Sequence, residues 1–369
     1  MSELRSSLEK VKRYLEGLYG GGIELRGISG MGALGGVEDF KGFGYGTPYL
    51  IEFERDGETR RLVFNTMRGD MFGHEYPWDR AQSLLMAYST FNRLPRHAKA
   101  LDVGVLMEDG SLNSLRGFRE FFLTTEFIEG TEYWRDLDRI GRTGKLASLD
   151  LERCHALSRY LAEIHSEKLN APNLYRRRIR ELVGHGECIM GLIDSYPEGV
   201  DLPSRRDLQS IEERCVEWRW RLRDRCHRLS QVHGDYHPWN ILFRSGVDFT
   251  VLDRSRGEWG EPADDVAAMT INYMFFSLRY NNGELAEPFT RLIEAFLDTY
   301  IGETGDEEVL EVIQPFYAWR ALVLASPLWY PDLPEEVRRG LINFIFQVLE
   351  RPRIEVAEIP SLFQAQPGG

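Results

Sequence analysis

The sequence predicts an α+β fold of two lobes, in which a small lobe with an antiparallel β-sheet precedes a larger, mainly α-helical lobe. Residues 49–64 predict a β-hairpin in the first lobe, because two β-type stretches flank Asp56-Gly57, a strong tight-turn signal. Beyond Gly130 the pattern changes, and residues 151–164 carry apolar side chains at helical spacing. We therefore predict two domains, residues 1–127 and residues 128–369.

The small lobe should contain one helix and two strands besides the hairpin. Residues 79–91 are typical of a helix that ends before Pro95, and strands are predicted at 100–107 and 119–127. The stretch 27–46, which precedes the hairpin, is dense in glycine, and we expect most of it to be irregular.

The large lobe should be helical apart from one embedded hairpin. A second helical stripe lies at residues 289–301. Between the helical stretches, residues 240–243 and 249–253 have the composition of paired strands, and residues 244–248 supply the turn. Arg320 lies in an apolar helical stretch, where a buried charge needs a partner, usually a structural carboxylate and occasionally a substrate.

Composition limits the classes of partner. The chain has 369 residues, a net charge of −13 and four cysteines without CxxC spacing. Because binding to phosphate backbones requires a basic face, the negative charge argues against a nucleic-acid partner. The first ten residues lack the apolar region of a signal peptide, and no apolar run approaches the ~18 residues that a membrane span requires. These features predict a cytoplasmic protein with reduced thiols and no membrane partner.

One polar stretch carries the chemistry. Residues 233–243 read His-Gly-Asp-Tyr-His-Pro-Trp-Asn-Ile-Leu-Phe, and Asp253 ends the strand that follows the turn. Since a hairpin brings its two ends together, Asn240 and Asp253 can share a cation while Asp235 faces an incoming hydroxyl. Phosphoryl transfer needs such a set, namely an orienting group or base for the acceptor and oxygen ligands for Mg²⁺. The order of these residues is that of the protein-kinase catalytic loop.

Two other interpretations of the same stretch remain open. His233, Asp235 and His237 alternate along the chain, as ligands of a metallohydrolase cluster could. Pro238 disfavours the continuous strand that such a cluster would need, and the cluster would leave Asn240 and Asp253 without a role. The stretch could also be a loop with a structural histidine and no catalytic function.

The large lobe resembles the aminoglycoside phosphotransferase and choline kinase family, whose members have a protein-kinase-like fold. Residues 233–243 are similar to the family's H-G-D-x-x-x-x-N motif, and residues 260–267, Gly-Glu-Pro-Ala-Asp-Asp-Val-Ala, are similar to its G-D-P-x-x-D-L-A helix entry. The helix ending Leu-Ala-Glu-Ile-His165 resembles L-A-x-L-H, and residues 125–130 resemble the family's hinge. The likeness covers roughly residues 120–300.

The resemblance implies a role for several residues. Asp235 would be the catalytic base, and Asn240 and Asp253 would be the Mg²⁺ ligands. Backbone groups of Glu126 and Ile128 would hold the adenine. Two residues would be structural: His233 would support the loop, and Asp265 would cap a helix that starts at Val266.

The small lobe departs from the family pattern. The strand where a kinase-like fold carries its phosphate-binding Lys reads Arg-Leu-Val-Phe-Asn-Thr-Met over residues 61–67, and Arg68 is the candidate replacement. The stretch 42–47 is a candidate loop for the phosphates, with Gly44, Gly46 and Thr47 as its binding residues, and the stretch 30–36 is the rival.

These observations predict a Mg²⁺-dependent enzyme that transfers the γ-phosphoryl group of ATP or GTP to a hydroxyl of a small molecule. Its partners would be the nucleotide and a small-molecule hydroxyl acceptor. The alternative, motivated by the missing lysine, is a regulatory pseudokinase that binds nucleotide with little or no catalysis. Members of the family that share these motifs act on many different hydroxyl compounds, so the identity of the acceptor is not predicted.

Overall fold

The computed structural model describes residues 8–30, 46–254 and 256–364. The chain forms two compact units, Met1–Thr125 and Glu126–Gly369. None of the helices within the described ranges combines the length and the apolar character that crossing a bilayer requires. The first unit contains the larger antiparallel sheet and the second most of the helices, so the predicted α+β class is confirmed.

The first unit is built around a three-stranded antiparallel sheet in the order β1-β2-β3. The predicted hairpin is confirmed, because β2 and β3 pair along their whole length around Asp56 and Gly57, which have φ values of 54° and 79°. Apolar residues of α1 pack with Ile51 and Phe53 of the sheet to form the core. The elements of this unit are α1 (Leu8–Tyr19), β1 (Glu24–Gly30), β2 (Gly46–Arg55), β3 (Glu58–Met67), α2 (Pro77–Phe91), β4 (Gly104–Leu106) and β5 (Leu112–Ser114).

Two predictions for the first unit were wrong in part. Strand β1 occupies the first residues of the glycine-dense stretch, because they pair with β2, and residues 31–45 of that stretch lie outside the described residues. The strand predicted at 100–107 is reduced to β4, which pairs only with β5. Residues 118–130 contain neither helix nor strand, so the strand predicted at 119–127 does not form. A strand needs a pairing partner, which a local sequence pattern does not reveal.

The second unit is mainly helical. Its elements are β6 (Thr131–Glu132), α3 (Trp134–Thr143), α4 (Ser148–Ser166), α5 (Pro172–Gly184), α6 (Ile189–Asp194), α7 (Arg205–Leu222), β7 (Ser230–Gln231), β8 (Ile241–Phe243), β9 (Phe249–Val251), β10 (Trp259–Gly260), α8 (Pro262–Tyr280), α9 (Phe289–Thr304), α10 (Val309–Val312), α11 (Gln314–Ala325) and α12 (Glu335–Glu350). The predicted helical stripes form α4 and α9, and the embedded hairpin forms β8 and β9.

Helix α8 is the central element of the second unit. It is apolar on nearly every side and is buried along almost its whole length, as expected of a helix without a polar face. Helices α3, α9 and α11 all pack against it. Because α8 begins beside the segment that joins β7 to β8, its first turn can support the polar residues of that segment.

Gly141 offers a test of the packing between α3 and α8. A Cβ at this position would lie 2.1 Å from Cδ2 of Tyr280, far inside contact distance. The ring cannot easily move, because its hydroxyl donates a hydrogen bond to Asp138. We expect Gly141→Ala to lower the free energy of unfolding by about 2 kcal/mol, even though alanine favours helix. Urea unfolding followed by circular dichroism measures the change.

Gly302 in α9 provides the matched control, since a Cβ there would have no neighbour within 4 Å. Gly302→Ala should raise the free energy of unfolding by up to about 1 kcal/mol, because alanine loses less entropy than glycine in a helix. If both variants gained stability equally, α3 would not pack on α8 as described.

Candidate active site

The segment between β7 and β8 is held by a buried carboxylate. Asp265, in the first turns of α8, is fully buried and accepts the backbone N–H groups of His233 and Gly234, each at 2.7 Å. Gly234 has a φ of 85°, and a Cβ there would lie 3.0 Å from the Cβ of Arg256. A glycine is therefore required at the second position of the H-G-D sequence.

Asp265 itself is fixed by the histidine that ends the L-A-x-L-H-like sequence. His165 lies 3.2 Å from Asp265 through Nε2, and its Nδ1 lies 2.9 Å from the Tyr300 hydroxyl. Burial alone would raise the pKa of Asp265, but the hydrogen bond and charge of His165, with the backbone donors, outweigh it and the pKa is lowered. Asp265 is thus an ionised anchor for the loop.

The predicted capping role of Asp265 was wrong. Helix α8 begins at Pro262, not at Val266, and Glu261 is its N-cap, with a side-chain oxygen that accepts the N–H of Ala263 at 3.3 Å. Proline suits the first helical position because its φ is preset and it needs no hydrogen-bond acceptor. Asp265 is consequently free to bind the neighbouring loop instead of its own helix end.

His233 supports the loop from below. Its ring is buried, and Nδ1 accepts the backbone N–H of Asp235 at 3.2 Å. Burial lowers the pKa of His233, which keeps Nδ1 unprotonated and able to accept this bond. Asp265 therefore binds the N–H groups of His233 and Gly234, and the His233 ring binds the N–H of Asp235, so that three successive backbone N–H groups of the loop are held.

Asp235 and Asn240 are in direct contact. The Asn240 amide donates to the backbone carbonyl of Asp235 at 3.1 Å and lies 3.4 Å from its Oδ2. His237 caps the short 3₁₀ turn Pro238–Asn240 by accepting the N–H of Trp239, and its Nε2 lies 3.4 Å from the same Asp235 oxygen. The five-residue spacing between Asp235 and Asn240 therefore places both side chains on one face of the loop.

Asp253 lies at the same end of the hairpin as Asn240. Ile241 pairs with Val251, and the N–H of Leu252 donates to the carbonyl of Asn240 at 2.8 Å, so Asp253 follows directly. Its φ of 57° is unusual for a residue other than glycine. The side chain is exposed, and within the described part of the chain it forms no ion pair.

Arg320 of α11 is a residue whose role the sequence did not indicate. As expected, this buried charge has partners, but one of them is Asp235: Nη1 donates to Asp235 Oδ1 at 2.6 Å. Nη2 also donates to Asp264 Oδ1 at 2.7 Å and to the Gly234 carbonyl at 3.1 Å. Burial alone would raise the pKa of Asp235, but the hydrogen bond from His237 and the charge of Arg320 outweigh it and hold the pKa well below its usual range.

The positions of His233, Asp235 and His237 do not form the metal cluster of the metallohydrolase interpretation. His233 uses Nδ1 to accept a backbone N–H and is buried beneath the loop. Among the residues that the structure describes, no group of three or more histidine, cysteine or acidic side chains is arranged to hold a metal ion. Of the three alternating residues, His233 therefore supports the loop, His237 caps the 3₁₀ turn and Asp235 presents its carboxylate.

The structure gives the positions of most of the candidate nucleotide-binding residues in the chain, but no contact that assigns them a role. Gly46 opens β2, and Thr47 lies in the same strand, whereas Gly44 lies outside the described residues. Most of both candidate glycine stretches falls in residues 31–45, which lie between β1 and β2 in the sequence and outside the described residues. Arg68 directly follows β3. The candidates Glu126 and Ile128 lie at the start of the second unit, in the segment without regular structure.

The catalytic-loop geometry agrees with a comparison against protein-family models. The model of the phosphotransferase enzyme family matches residues 87–309, more than half of the chain. The chain belongs to the phosphotransferase enzyme family. The resemblance inferred from the motifs is thereby confirmed, and so is the predicted enzyme class, a phosphotransferase that acts on the hydroxyl group of a small molecule. The two-lobed, kinase-like fold expected of this family is confirmed as well.

Several solved structures are similar to this phosphotransferase family member. An amicoumacin kinase in complex with AMP-PNP, Ca²⁺ and Ami is 14% identical over 97% of this chain and 99% of its own, with a TM-score of 0.43. An ethanolamine kinase from Plasmodium vivax is 15% identical over 86% and 78% of the two chains, with a TM-score of 0.34. A choline kinase from Streptococcus pneumoniae is 14% identical over 92% and 98%, with a TM-score of 0.35. These TM-scores are too low to add to the family match, and no curated protein matches the chain.

Proposed function

We propose that the protein transfers the γ-phosphoryl group of Mg²⁺-bound ATP or GTP to a hydroxyl of a small molecule. One observation carries this proposal: Asp235 and Asn240 are in contact on one loop, and Asp253 follows the backbone partner of Asn240 at the same hairpin end. Phosphoryl transfer needs this combination of an acceptor-orienting carboxylate and nearby oxygen ligands for a cation.

Asp235 would orient the acceptor hydroxyl. The low pKa of its carboxyl keeps the group ionised at neutral pH, where an oxygen can accept a hydrogen bond from the hydroxyl. A carboxylate of such low basicity is a weak base in the ground state. Since the transferred phosphoryl group passes through a loose transition state, positioning of the nucleophile suffices until the bond to the leaving oxygen is largely broken.

Asn240 and Asp253 fit a magnesium ion. The Asn240 amide nitrogen is bound to Asp235, so its Oδ1 points to the opposite side. Asp253 is exposed, and the adjacent Arg254 does not neutralise it, because that guanidinium donates to the carbonyls of Val232 and Glu258. An amide oxygen and a carboxylate are ligands that Mg²⁺ prefers, with water and phosphates completing the octahedron. The bound ion would neutralise charge on the phosphates.

The nucleotide contacts are proposed from the family resemblance. Backbone groups of Glu126 and Ile128 would bind the adenine, and Arg68 would take the place of the missing lysine at the phosphates. Gly44, Gly46 and Thr47 would cover the phosphates. Gly46 and Thr47 begin β2, which pairs with β1, and this supports the last assignment because a phosphate-covering loop links two paired strands.

Asp253 allows a test of the cation site by binding alone. We expect Asp253→Ala to remove the effect of Mg²⁺ on ATP affinity, because the variant lacks the charged ligand of the ion. Calorimetry with ATP in magnesium and in EDTA measures this difference for both proteins. Asp248→Ala, in the turn of the same hairpin, is the control and should keep the wild-type response. A variant at position 253 that still binds MgATP better than free ATP would exclude Asp253 as the ligand.

A nucleotide-consumption screen tests the function as a whole. Purified protein with MgATP or MgGTP is offered a panel of aminoglycosides, amino alcohols, sugars and other hydroxyl metabolites, and phosphorylated products are identified by mass spectrometry. The proposal requires at least one phosphorylated acceptor. Tight nucleotide binding without phosphate release or product across the panel would favour the regulatory pseudokinase instead.

The thiols support the proposed cytoplasmic location. All four cysteines are unpaired, and Cys154, Cys188 and Cys215 are buried. Burial raises the pKa of Cys154 and of Cys188 to about 12, so both thiols are unreactive. Free thiols throughout a chain of this size are typical of a reducing compartment.

A further inference from the structure

Arg320 is the buried cation that contacts the proposed catalytic carboxylate. It is the only charged residue of α11, and only 8% of its surface is exposed. This helix lies beyond residues 87–309, the part of the chain that matches the family model. The match to the family model therefore does not itself assign a role to Arg320.

The guanidinium binds three groups at once. Nη1 donates to Asp235 Oδ1 at 2.6 Å, and Nη2 donates to Gly234 O at 3.1 Å and to Asp264 Oδ1 at 2.7 Å. Nε donates to the same Asp264 oxygen at 3.2 Å. Only a planar group with five donors in fixed directions can hold a carboxylate and the neighbouring backbone carbonyl together.

The two oxygens of Asp235 consequently have different surroundings. Oδ1 is bound by Arg320, whereas Oδ2 faces the Asn240 amide and His237, each at 3.4 Å. Because these contacts are longer, Oδ2 is the oxygen that can accept a hydrogen bond from an incoming hydroxyl. The strong bond at Oδ1 prevents rotation of the carboxylate, so Oδ2 keeps one direction relative to Asn240.

We infer that Arg320 is a positioning residue for Asp235, which holds one carboxylate oxygen so that the other is aimed at the acceptor hydroxyl. This inference deepens the proposed function and rests on it for its kinetic test. Displacement of a reacting group by about 1 Å costs roughly 10²-fold in rate, and loss of the guanidinium permits such a displacement.

The kinetic test uses Arg320→Gln with the acceptor that the screen returns. We expect kcat to fall about 10²-fold while the KM for MgATP changes by less than about twofold, because Arg320 acts on the acceptor side of the reaction. Arg320→Lys should recover part of the loss, since it restores the charge but not the planar fork. Millimolar guanidinium chloride should partly restore Arg320→Ala. Wild-type turnover in Arg320→Gln, or equal losses in kcat and nucleotide affinity, would overturn the inference.

Removal of the cation leaves two carboxylates without their shared partner, so the single variant could fail to fold. The double variant Arg320→Gln/Asp264→Asn removes one charge of each sign and keeps the net charge of the buried cluster. The double variant should fold, and its kcat should be about as low as that of Arg320→Gln, because no guanidinium binds Asp235 Oδ1. Recovery of wild-type turnover in the double variant would show that charge balance, not positioning, is the role of Arg320.

Arg338 is the matched control. It is equally buried, with 8% exposed, but it donates to the backbone carbonyls of Ala325 and Tyr330 and not to Asp235. Arg338→Gln should lower thermal stability without changing kcat per folded molecule. If it lowered kcat as much as Arg320→Gln does, the effect of the latter would be structural.

A double-mutant cycle tests the contact without turnover, so it distinguishes failure of this inference from failure of the proposed function. Thermal unfolding is measured for Arg320→Gln, Asp235→Asn and the combined variant. The combined loss in Tm should be clearly smaller than the sum of the two single losses, because both remove the same bond. The corresponding cycle with Arg338→Gln should be additive. Additivity at Arg320 would overturn the contact on which the inference is based.

Discussion

Asp235→Asn should lower the turnover of the identified acceptor by about 10²–10⁴-fold, the range for loss of a general base, while nucleotide binding stays nearly intact. Asparagine keeps the size of the side chain but not its charge. Its amide also puts an NH₂ group in the place of one carboxylate oxygen. That NH₂ group would face either Arg320 or the hydroxyl of the substrate, and it cannot accept a hydrogen bond from either. The nucleotide is bound by other groups, so its affinity has no reason to fall.

Steady-state kinetics and calorimetry with MgATP measure the two quantities separately. Asp248→Asn, an exposed aspartate in the β8–β9 turn that pairs with Arg244, should leave both unchanged. Full activity of Asp235→Asn would refute the assignment of the site. A parallel loss of nucleotide affinity and turnover would instead place Asp235 among the nucleotide-binding groups.

The proximity of Asp235, Asn240 and Asp253 could be predicted because these residues are close in sequence. Asp235 and Asn240 are five residues apart on one loop, and the hairpin that carries Asp253 follows at once, so strand composition and turn spacing sufficed. The tight turn at Asp56-Gly57 was predictable for the same reason. In each case the signal is contained in the same short stretch of chain as the structure that it produces.

Features that depend on distant partners were not predictable. Arg320 reaches Asp235 from 85 residues away, and the only sequence signal was a charge in an apolar helix. Strand β1 forms in a glycine-rich stretch because β2 offers it a partner, whereas residues 119–127 have a strand-like pattern and form no strand. The prediction that Asp265 caps a helix starting at Val266 was wrong, because α8 starts one turn earlier, at Pro262.

Asp265 and Arg320 support the same loop in different ways. Asp265 holds the backbone on the N-terminal side of Asp235 through two amide hydrogens, and Arg320 holds the Asp235 side chain and the Gly234 carbonyl. One of them comes from α8 and the other from α11, two helices that pack on each other. Loss of either contact should therefore lower turnover, because both hold the loop that presents Asp235.

Asp265→Asn should lower the free energy of unfolding by about 3 kcal/mol and should nearly abolish turnover. The carboxylate accepts two backbone N–H groups and lies beside His165, with no exposure to solvent. An amide has one accepting oxygen, so one of the two N–H groups would face an NH₂ group and lose its bond. The loop would then lose the conformation that presents Asp235.

Asp150→Asn is the control, because Asp150 is also a buried first-turn aspartate and accepts the N–H of Ala147 at 2.8 Å, but it supports α4 and not the loop. It should lower stability without changing turnover per folded molecule. Urea unfolding and kinetics on both variants separate the two effects. Equal losses of turnover in the two variants would contradict a specific role of Asp265 in the loop.

The stabilisation from Asp265 should also depend on pH. Because the folded state lowers the pKa of this carboxyl, its contribution is fully present above the unfolded value of about 3.9 and is lost as the pH falls toward the folded value. The difference in unfolding free energy between the wild type and Asp265→Asn should therefore be constant from neutral pH down to about pH 4 and should narrow below it. A difference that narrows already between about pH 7 and pH 5 would mean that the carboxyl is not ionised in the fold, and that the two amide hydrogens are held in another way.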